Sequence, residues 1–226
     1  MVDRIDSRDI LACTFHSYCY RLLREFLPPE KRPFSVIDED DQAKLLKSIL
    51  EARSIKILPD SIIDYISLRK SKGGAPIPTS ARNESIYIEY NNLCRKHNLY
   101  DFGELQLAAL KYAPLISGRY KHILIDEYQD TDPVQWELTK LLAVGTESVT
   151  VVCDDQQSIY GWRGADINNV LKYPAHFGAE VITLRRNYRS TPEIVEVVNR
   201  VVASATEKLC DKDLYTERPS GKKPTL

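Results

Sequence analysis

The sequence predicts an α/β fold with a parallel sheet, into which a group of helices is inserted. Two observations support this prediction. Short apolar runs alternate with helical patterns from residue 101 onward, which is the order expected for parallel strands joined by helices. Residues 27–99, in contrast, show helical patterns without strands between them. A chain of 226 residues with 43% hydrophobic content can bury one main core and a smaller second core.

The first half of the chain is predicted to contain one strand followed by four helices. An apolar run predicts the strand at residues 10–14, and Pro28 and Pro29 end the first helix. A glycine pair, Gly73 and Gly74, follows the third helix, as glycine commonly does. The predicted helices cover residues 16–26, 38–53, 59–73 and 82–97.

The helix that ends at Gly73 carries a basic cluster, Arg69, Lys70 and Lys72, in its last turn. Basic side chains are common at the solvated C-terminal end of a helix, and this is the interpretation we favour. Contact with duplex DNA is the alternative.

Strands and helices alternate in the second half. Asp132 before Pro133 and Thr191 before Pro192 each predict an N-cap followed by a first helical turn. Residues 211–226 are polar and contain two prolines, and they predict a linker or the start of a strand. The predicted helices are residues 103–113, 133–143, 166–173 and 192–206, and the predicted strands are residues 121–126, 148–153 and 180–184.

Two adjacent carboxylates, Asp126 and Glu127, follow the apolar strand. A buried strand is stiff, so a carboxylate at its carboxyl end is held in place beside a ligand site. Asp126 can hold Mg²⁺ there, directly or through water, and Glu127 can orient and deprotonate an attacking water. The pattern is typical of the metal- and water-handling half of a nucleotide triphosphatase. A lone Asp-Glu pair is more often a solvated strand end, but two further clusters accompany this one.

The second cluster is a polar and aromatic loop, residues 154–165, after the next strand. The amide of Gln157 can sense a terminal phosphate. Tyr160, Trp162 and Arg163 offer flat faces and a cation on a flexible backbone, which suits stacking on unpaired bases. A single exposed tryptophan can also be a half-buried core residue, but two aromatic residues that flank a glycine beside an arginine favour the nucleic-acid interpretation.

The third cluster contains Arg185, Arg186 and Arg189. The guanidinium of Arg189 is permanently charged, and it can stabilise charge that develops on a phosphate during transfer. An ordinary solvated basic face is the alternative.

Three motifs, DEYQDT at residues 126–131, DDQQSIYGWRGA at 154–165 and LRRNYRST at 184–191, together resemble motifs II, III and IV of superfamily 1 helicases of the UvrD/PcrA/Rep type. Thr14-Phe15-His16-Ser17 resembles motif Ib, and residues 100–105 resemble the segment before motif II. Nearly the whole chain is covered, with residues 27–99 matched by position. The resemblance implies a RecA-like P-loop NTPase sheet with an inserted helical subdomain.

The resemblance also implies ATP and Mg²⁺ as cofactors and gives roles to individual residues. It assigns Asp126 to Mg²⁺ and Glu127 to the catalytic base. Gln157 and Arg189 are assigned to the γ-phosphate, and Tyr188 is placed beside the adenine. The positions implied to contact single-stranded DNA are Thr14, Phe15, His16, Tyr160, Trp162 and Arg163. Gln156 and Cys153 replace the family's usual Asp and Gly, but neither replacement removes a required group.

In domain terms, the resemblance divides the chain into four parts. Residues 1–26 and 100–184 correspond to motor domain 1A, and residues 27–99 to the helical insertion 1B. Residues 185–226 correspond to the start of motor domain 2A.

The phosphate-binding loop G-x-x-x-x-G-K-[ST] is missing from the sequence. Neither Gly73-Gly74 nor Gly221-Lys222-Lys223 can replace it. We therefore expect an internal piece of a helicase. The resemblance implies that the whole protein is an ATP-dependent helicase that moves 3′ to 5′ on single-stranded DNA and acts at duplex junctions in repair, recombination or replication. The alternative is a short protein that does not hydrolyse ATP and serves as a single-strand DNA-binding or regulatory module. The intact set Asp126, Glu127, Gln157 and Arg189 favours the first hypothesis.

The overall composition restricts the possible functions less than the motifs do. A net charge of −1 is weak support for or against nucleic-acid binding, which needs only a local basic groove. The five cysteines are scattered without a C-x-x-C pair, which predicts reduced thiols and no structural zinc. We expect an intracellular protein, in the cytoplasm and nucleoid of a bacterium or in the nucleus of a eukaryote.

Overall fold

A computed structural model of the protein describes residues 10–204 and 209–225. Within these residues the chain is an α/β structure with small parallel sheets. The α-helices are α1 (Phe15–Phe26), α2 (Glu39–Ala52), α3 (Pro59–Ser71), α4 (Ala81–Lys96), α5 (Phe102–Leu110), α6 (Pro133–Ala143), α7 (Asn168–Phe177) and α8 (Pro192–Ala203). The strands are β1 (Ser35–Val36), β2 (Leu99–Tyr100), β3 (His122–Ile125) and β4 (Ser148–Val151).

Strands β3 and β4 pair in parallel, with His122 opposite Ser148 and Ile125 opposite Val151. Helix α6 connects them, as expected for a parallel pair. One face of the pair packs on a core that contains Tyr128 and Tyr173. The Tyr173 hydroxyl donates to the backbone carbonyl of Val149 in β4 at 2.9 Å. Because the strands are parallel and in register, the residues after Ile125 and after Val151 meet at one edge of the sheet.

Helices α2, α3 and α4 share a hydrophobic core of their own. The short strands β1 and β2 lie on either side of these helices in the chain, and they pair in parallel with Ser35 opposite Leu99. The two ends of the helical segment therefore lie side by side. Its largest fully buried hydrophobic side chains are Leu46, Ile62, Ile66, Ile86 and Tyr90.

A third core lies between α1, α5 and α6. Leu23 of α1, Leu105 of α5 and Leu138 of α6 are almost fully buried in it. Helix α6 begins with the predicted cap, because the Asp132 carboxylate accepts from the backbone N–H of Gln135 at 2.8 Å. In return, Gln135 Oε1 accepts from the backbone N–H of Asp132 at 3.2 Å. No helix among the described residues is long and apolar enough to cross a membrane.

The strands predicted at residues 10–14 and 180–184 are not formed. Both stretches are apolar, but a strand exists only where a neighbouring strand completes its hydrogen bonds, and within the described residues neither stretch has one. Their apolar side chains are consequently exposed, and Ile182 and Leu184 are 74% and 80% accessible. The predictions for the other two strands are confirmed, with β3 and β4 slightly shorter than expected.

The interpretation of Arg69 and Lys70 as a solvated helix end, and its DNA-contact alternative, are both wrong for these two residues. Both side chains are buried, while Lys72 is exposed. Arg69 pairs with Glu84 and lies over the ring of Tyr87, with 3.9 Å between the guanidinium carbon and the ring centroid. Buried cations require such partners, and the helical pattern around them gave no sign of which distant residues supply them.

The N-cap prediction at Thr191 is correct in position but not in chemistry. Thr191 precedes the first residue of α8, but its side chain makes no capping hydrogen bond. Helix α8 is formed from Pro192 to Ala203, with Ser204 as its C-cap, and the last two residues of the predicted helix, 205 and 206, lie outside the described residues.

Candidate functional site

The candidate site lies at the carboxyl edge of β3 and β4. Asp126 and Glu127 follow β3 directly, and both side chains are exposed. Glu127 has a left-handed backbone, with φ at 51°, which is uncommon for a residue with a side chain and often occurs at functional positions. The Asp126 carboxylate accepts from the backbone N–H of Glu127 at 3.1 Å. The chain therefore leaves the strand direction at the second carboxylate.

The carboxylate of Glu127 is held by Gln129, a residue that the sequence interpretation did not single out. The Gln129 side chain is 2% exposed, and its Nε2 donates to Glu127 Oε2 at 2.6 Å. Its Oε1 accepts from the backbone N–H of Asp154 at 3.0 Å. One buried amide thus connects the turn after β3 to the loop after β4.

The loop after β4 orients Gln157 through Asp154. Gln157 is exposed, and its Nε2 donates to Asp154 Oδ2 at 2.6 Å. Burial raises the pKa of Asp154, but hydrogen bonds from Lys212 and Gln157 outweigh burial and leave the pKa below its usual value. The structure therefore connects Glu127 to Gln157 through Gln129 and Asp154.

The donor set at Asp126 suits a magnesium ion bound together with a phosphorylated ligand. Within the described residues, no group of three or more His, Cys, Asp or Glu side chains could hold a metal ion. Mg²⁺ commonly takes one or two carboxylates and completes its shell with substrate phosphates and water. A single exposed carboxylate at a strand end fits that mode of binding, and it does not fit a metal site built from protein ligands alone.

The aromatic loop is exposed and ordered by its own arginine. Trp162 is 67% accessible, and the Arg163 guanidinium carbon lies 4.7 Å from the Trp162 ring centroid and 5.9 Å from that of Tyr160. Residues Gly161–Arg163 form one short helical turn. The loop therefore presents two aromatic rings and a cation side by side, which is the chemistry of a base-stacking surface.

Gly164 allows this loop to pack against the end of α3. Its φ is 102°, and a Cβ at this position would clash with the hydroxyl oxygen of Ser71 and lie 2.8 Å from the Ser71 Cβ. Gly161 provides a contrast, since a Cβ there would meet nothing within 4 Å. The close approach at Gly164 fixes the aromatic loop relative to the helical segment.

We expect Gly164→Ala to destabilise the protein by about 1–3 kcal/mol, because the left-handed backbone becomes strained and the new methyl group meets Ser71. Gly161→Ala, in the same loop, is the matched control and should change stability by no more than about 0.5 kcal/mol. Urea unfolding of both variants measures the difference. Equal stabilities would show that the contact with Ser71 does not hold the loop.

His16 lies at the same cavity as the aromatic loop. The cavity has a volume of about 360 Å³, and its lining includes His16, Gln106, Tyr160 and Arg163. The His16 ring nitrogen Nε2 is 2.8 Å from Gln106 Nε2, and burial lowers the pKa of His16. The imidazole therefore favours its neutral form beside the loop.

The other two residues of this motif have structural contacts. The Thr14 hydroxyl caps α1 by accepting from the backbone N–H of Ser17 at 3.2 Å, and Phe15 packs partly buried against the α1 core. Neither contact tests their predicted role in DNA binding.

The third cluster forms a separate group. Tyr188 is exposed beneath the Arg186 guanidinium, whose carbon is 4.7 Å from the ring centroid. Asn187 accepts from the backbone N–H of Arg189 at 2.9 Å. Within residues 10–204 and 209–225, no hydrogen bond or ion pair connects Tyr188 or Arg189 directly to Asp126, Glu127 or Gln157.

A family model described as the UvrD/REP helicase N-terminal domain matches residues 3–178. DNA helicase II of Haemophilus influenzae is 37% identical over 230 residues, which cover 92% of this chain and 31% of that protein. DNA helicase II of Escherichia coli is 35% identical, covering 94% and 32%. The ATP-dependent DNA helicase PcrA of Bacillus subtilis is 34% identical, also covering 94% and 32%. The chain thus spans about a third of the length of these relatives.

Proposed function

We infer the function from one premise, which is that the chain belongs to the family of the UvrD/REP helicase N-terminal domain. We propose that it forms the central part of an ATP-dependent DNA helicase. One observation supports this most directly: Gln129 and Asp154 connect the carboxylate of Glu127 to the amide of Gln157, next to an exposed aromatic loop. The loop after β4 thus carries both Gln157, at the proposed nucleotide site, and the aromatic residues proposed to stack on bases.

At the nucleotide, each proposed role follows from the chemistry of the side chain. Asp126 would hold Mg²⁺, which neutralises phosphate charge when it is bound. Glu127 accepts a proton from the attacking water, and Gln129 fixes the carboxylate for this step. The amide of Gln157 donates to the γ-phosphate. Arg189 stabilises charge that develops there, and Tyr188 lies beside the adenine.

At the DNA, we propose that the bases of a single strand stack on Tyr160 and Trp162. Arg163 adds a cation that attracts the phosphates and is already stacked on Trp162. His16 borders the same cavity, and Thr14 and Phe15 lie next to it in the chain. We further propose that the whole helicase moves 3′ to 5′ along the single strand and unwinds duplex junctions. Its role would be in DNA repair, recombination or replication.

The domain organisation is part of this proposal. Residues 27–99 form the inserted helical subdomain, which agrees with the separate core of α2, α3 and α4 and with the pairing of β1 and β2 at its ends. Residues 1–26 and 100–184 belong to a RecA-like motor domain, and a second motor domain starts at residue 185.

Trp162→Ala tests the DNA contact. We expect it to weaken binding of a fluorescent oligo(dT) strand about 5- to 150-fold, which corresponds to about 1–3 kcal/mol for one lost stacking partner. Trp162→Phe retains an aromatic face and should remain close to the unmodified chain. Fluorescence anisotropy with the 226-residue chain provides the affinities.

Arginine variants supply a second comparison. Arg163→Ala should also weaken binding, whereas Arg82→Ala removes an exposed arginine from α4 and should have little effect. Equal affinities for Trp162→Ala, Arg163→Ala and the unmodified chain would contradict the proposed interface.

A single-strand-binding module without ATP hydrolysis is the second candidate, because the sequence contains no G-x-x-x-x-G-K-[ST] loop. The 226-residue chain itself is expected to hydrolyse no ATP under either hypothesis. The hypotheses differ in a protein that contains these residues together with such a loop, where only the first expects hydrolysis that single-stranded DNA stimulates.

A further inference from the structure

A partly buried charge cluster joins the loop after β4 to a segment far along the chain. Lys212 Nζ donates to Asp154 Oδ1 at 2.7 Å and also to Asp155 Oδ1. The second oxygen of Asp155 accepts from the backbone N–H of Leu209 at 2.6 Å. The Asp155 side chain is almost fully buried and that of Lys212 is 16% exposed, so water screens this pair less than a surface ion pair.

Asp154 is shared between this cluster and the candidate site. One of its carboxylate oxygens accepts from Lys212, and the other accepts from Gln157 Nε2 at 2.6 Å. A carboxylate without its cation binds an amide N–H more strongly, because its charge is no longer compensated. Lys212 therefore influences how firmly Asp154 retains the amide of Gln157.

The same segment is fastened to the third cluster. The backbone of Tyr215 donates to Arg185 O at 3.0 Å and accepts from the N–H of Asn187 at 2.8 Å. The Asn199 side chain of α8 also bonds to the backbone of Leu214 at both its N–H and its carbonyl. Residues 209–215 are therefore attached both to the stretch that carries Tyr188 and Arg189 and to the loop that carries Gln157.

On the basis of the function proposed above, we propose that Lys212 is a positioning residue. Through Asp154 it couples the position of residues 209–215, and with it that of the Arg189 cluster, to the orientation of the Gln157 amide. Gln129 extends the coupling to Glu127, because it bonds both to Glu127 and to the backbone of Asp154. The nucleotide-facing groups of the two parts of the chain thus respond to each other through one partly buried lysine.

The side-chain amide signals of Gln157 and Gln129 in ¹⁵N NMR spectra test this coupling directly, with Gln157→Glu and Gln129→Glu used to assign them. Lys212→Met should move both signals. Lys212→Arg keeps the charge, so its Gln157 signal should lie closer to that of the unmodified protein than the signal of Lys212→Met does. Lys222→Met removes an exposed lysine further along the chain and should move neither.

Thermal unfolding of the same variants separates positioning from simple stabilisation. If Lys212→Met lowers the Tm but leaves both amide signals in place, the coupling is wrong and the lysine is only structural. Should Lys212→Met fail to fold, Lys212→Gln keeps N–H donors, removes the charge and should still move the Gln157 signal. An unmoved signal in that variant would equally overturn the coupling.

The NMR samples contain neither nucleotide nor DNA. Unmoved signals would therefore overturn the coupling without affecting the DNA-binding test of Trp162. Conversely, normal DNA binding by Trp162→Ala would contradict the proposed interface, and the coupling would still be judged by the amide signals.

Discussion

Replacing Glu127 by glutamine is expected to reduce the rate of ATP hydrolysis by about 10²- to 10⁴-fold, the contribution typical of a positioned general base. Glutamine has nearly the same shape, and its Oε atom can still accept the hydrogen bond that Gln129 donates to Glu127 Oε2 at 2.6 Å. The substitution therefore removes the ability to accept a proton but retains the local geometry. Nucleotide binding should remain close to that of the unmodified protein.

The measurement is hydrolysis stimulated by single-stranded DNA, in a protein that contains these residues together with a G-x-x-x-x-G-K-[ST] loop. A fluorescent nucleotide measures binding in parallel. Glu137→Gln is the matched control, because Glu137 is an exposed glutamate in the middle of α6 that pairs with Lys140. Normal hydrolysis by Glu127→Gln would show that another group is the base. Loss of binding together with hydrolysis would show that Glu127 maintains the site and does not act chemically.

The placement of Asp126, Glu127 and Gln157 at one edge of the sheet was predictable because its signals are local, whereas the chemical roles of these residues stay predictions. Asp126 and Glu127 adjoin an apolar strand, and the pairing of β3 with β4 then places them at the same edge as Gln157. Gln129 was not predictable in this way. Its function as a connection depends on a contact with Asp154, which lies in a different turn, and nothing in the neighbouring sequence specifies that contact.

The same distinction explains the success and failure of the fold predictions. The cap at Asp132 depends on the next three residues, and it was predicted correctly. The strands at residues 10–14 and 180–184 depend on hydrogen-bonded neighbours, which apolar residues alone do not guarantee. The burial of Lys70 depends on Asp101, the N-cap of a different helix, α5.

The position of Lys70 explains why removing it should have a large effect on stability. Lys70 Nζ donates to Asp101 Oδ2 at 2.7 Å and lies 3.3 Å from Glu104, while the Tyr90 hydroxyl donates to the same Asp101 oxygen at 2.9 Å. The other oxygen of Asp101 caps α5 through the backbone N–H of Glu104. Asp101 thus joins α3, α4 and α5, and Lys70 provides the charge that keeps its carboxylate stable without water. Gly103 permits this packing, since a Cβ there would lie 2.7 Å from the Lys70 Cβ.

We expect Lys70→Met to lower the free energy of unfolding by about 3–5 kcal/mol, because Met fills a similar volume but leaves Asp101 as a buried charge without its cation. Lys72→Met removes an exposed lysine two residues away and should cost about 0.5 kcal/mol or less. Urea unfolding at pH 7 measures both. Adding Asp101→Asn to Lys70→Met removes the orphaned charge, so the double variant should lose less than the sum of the single variants. Additive losses, or equal losses for Lys70→Met and Lys72→Met, would show that the ion pair does not hold the helices together.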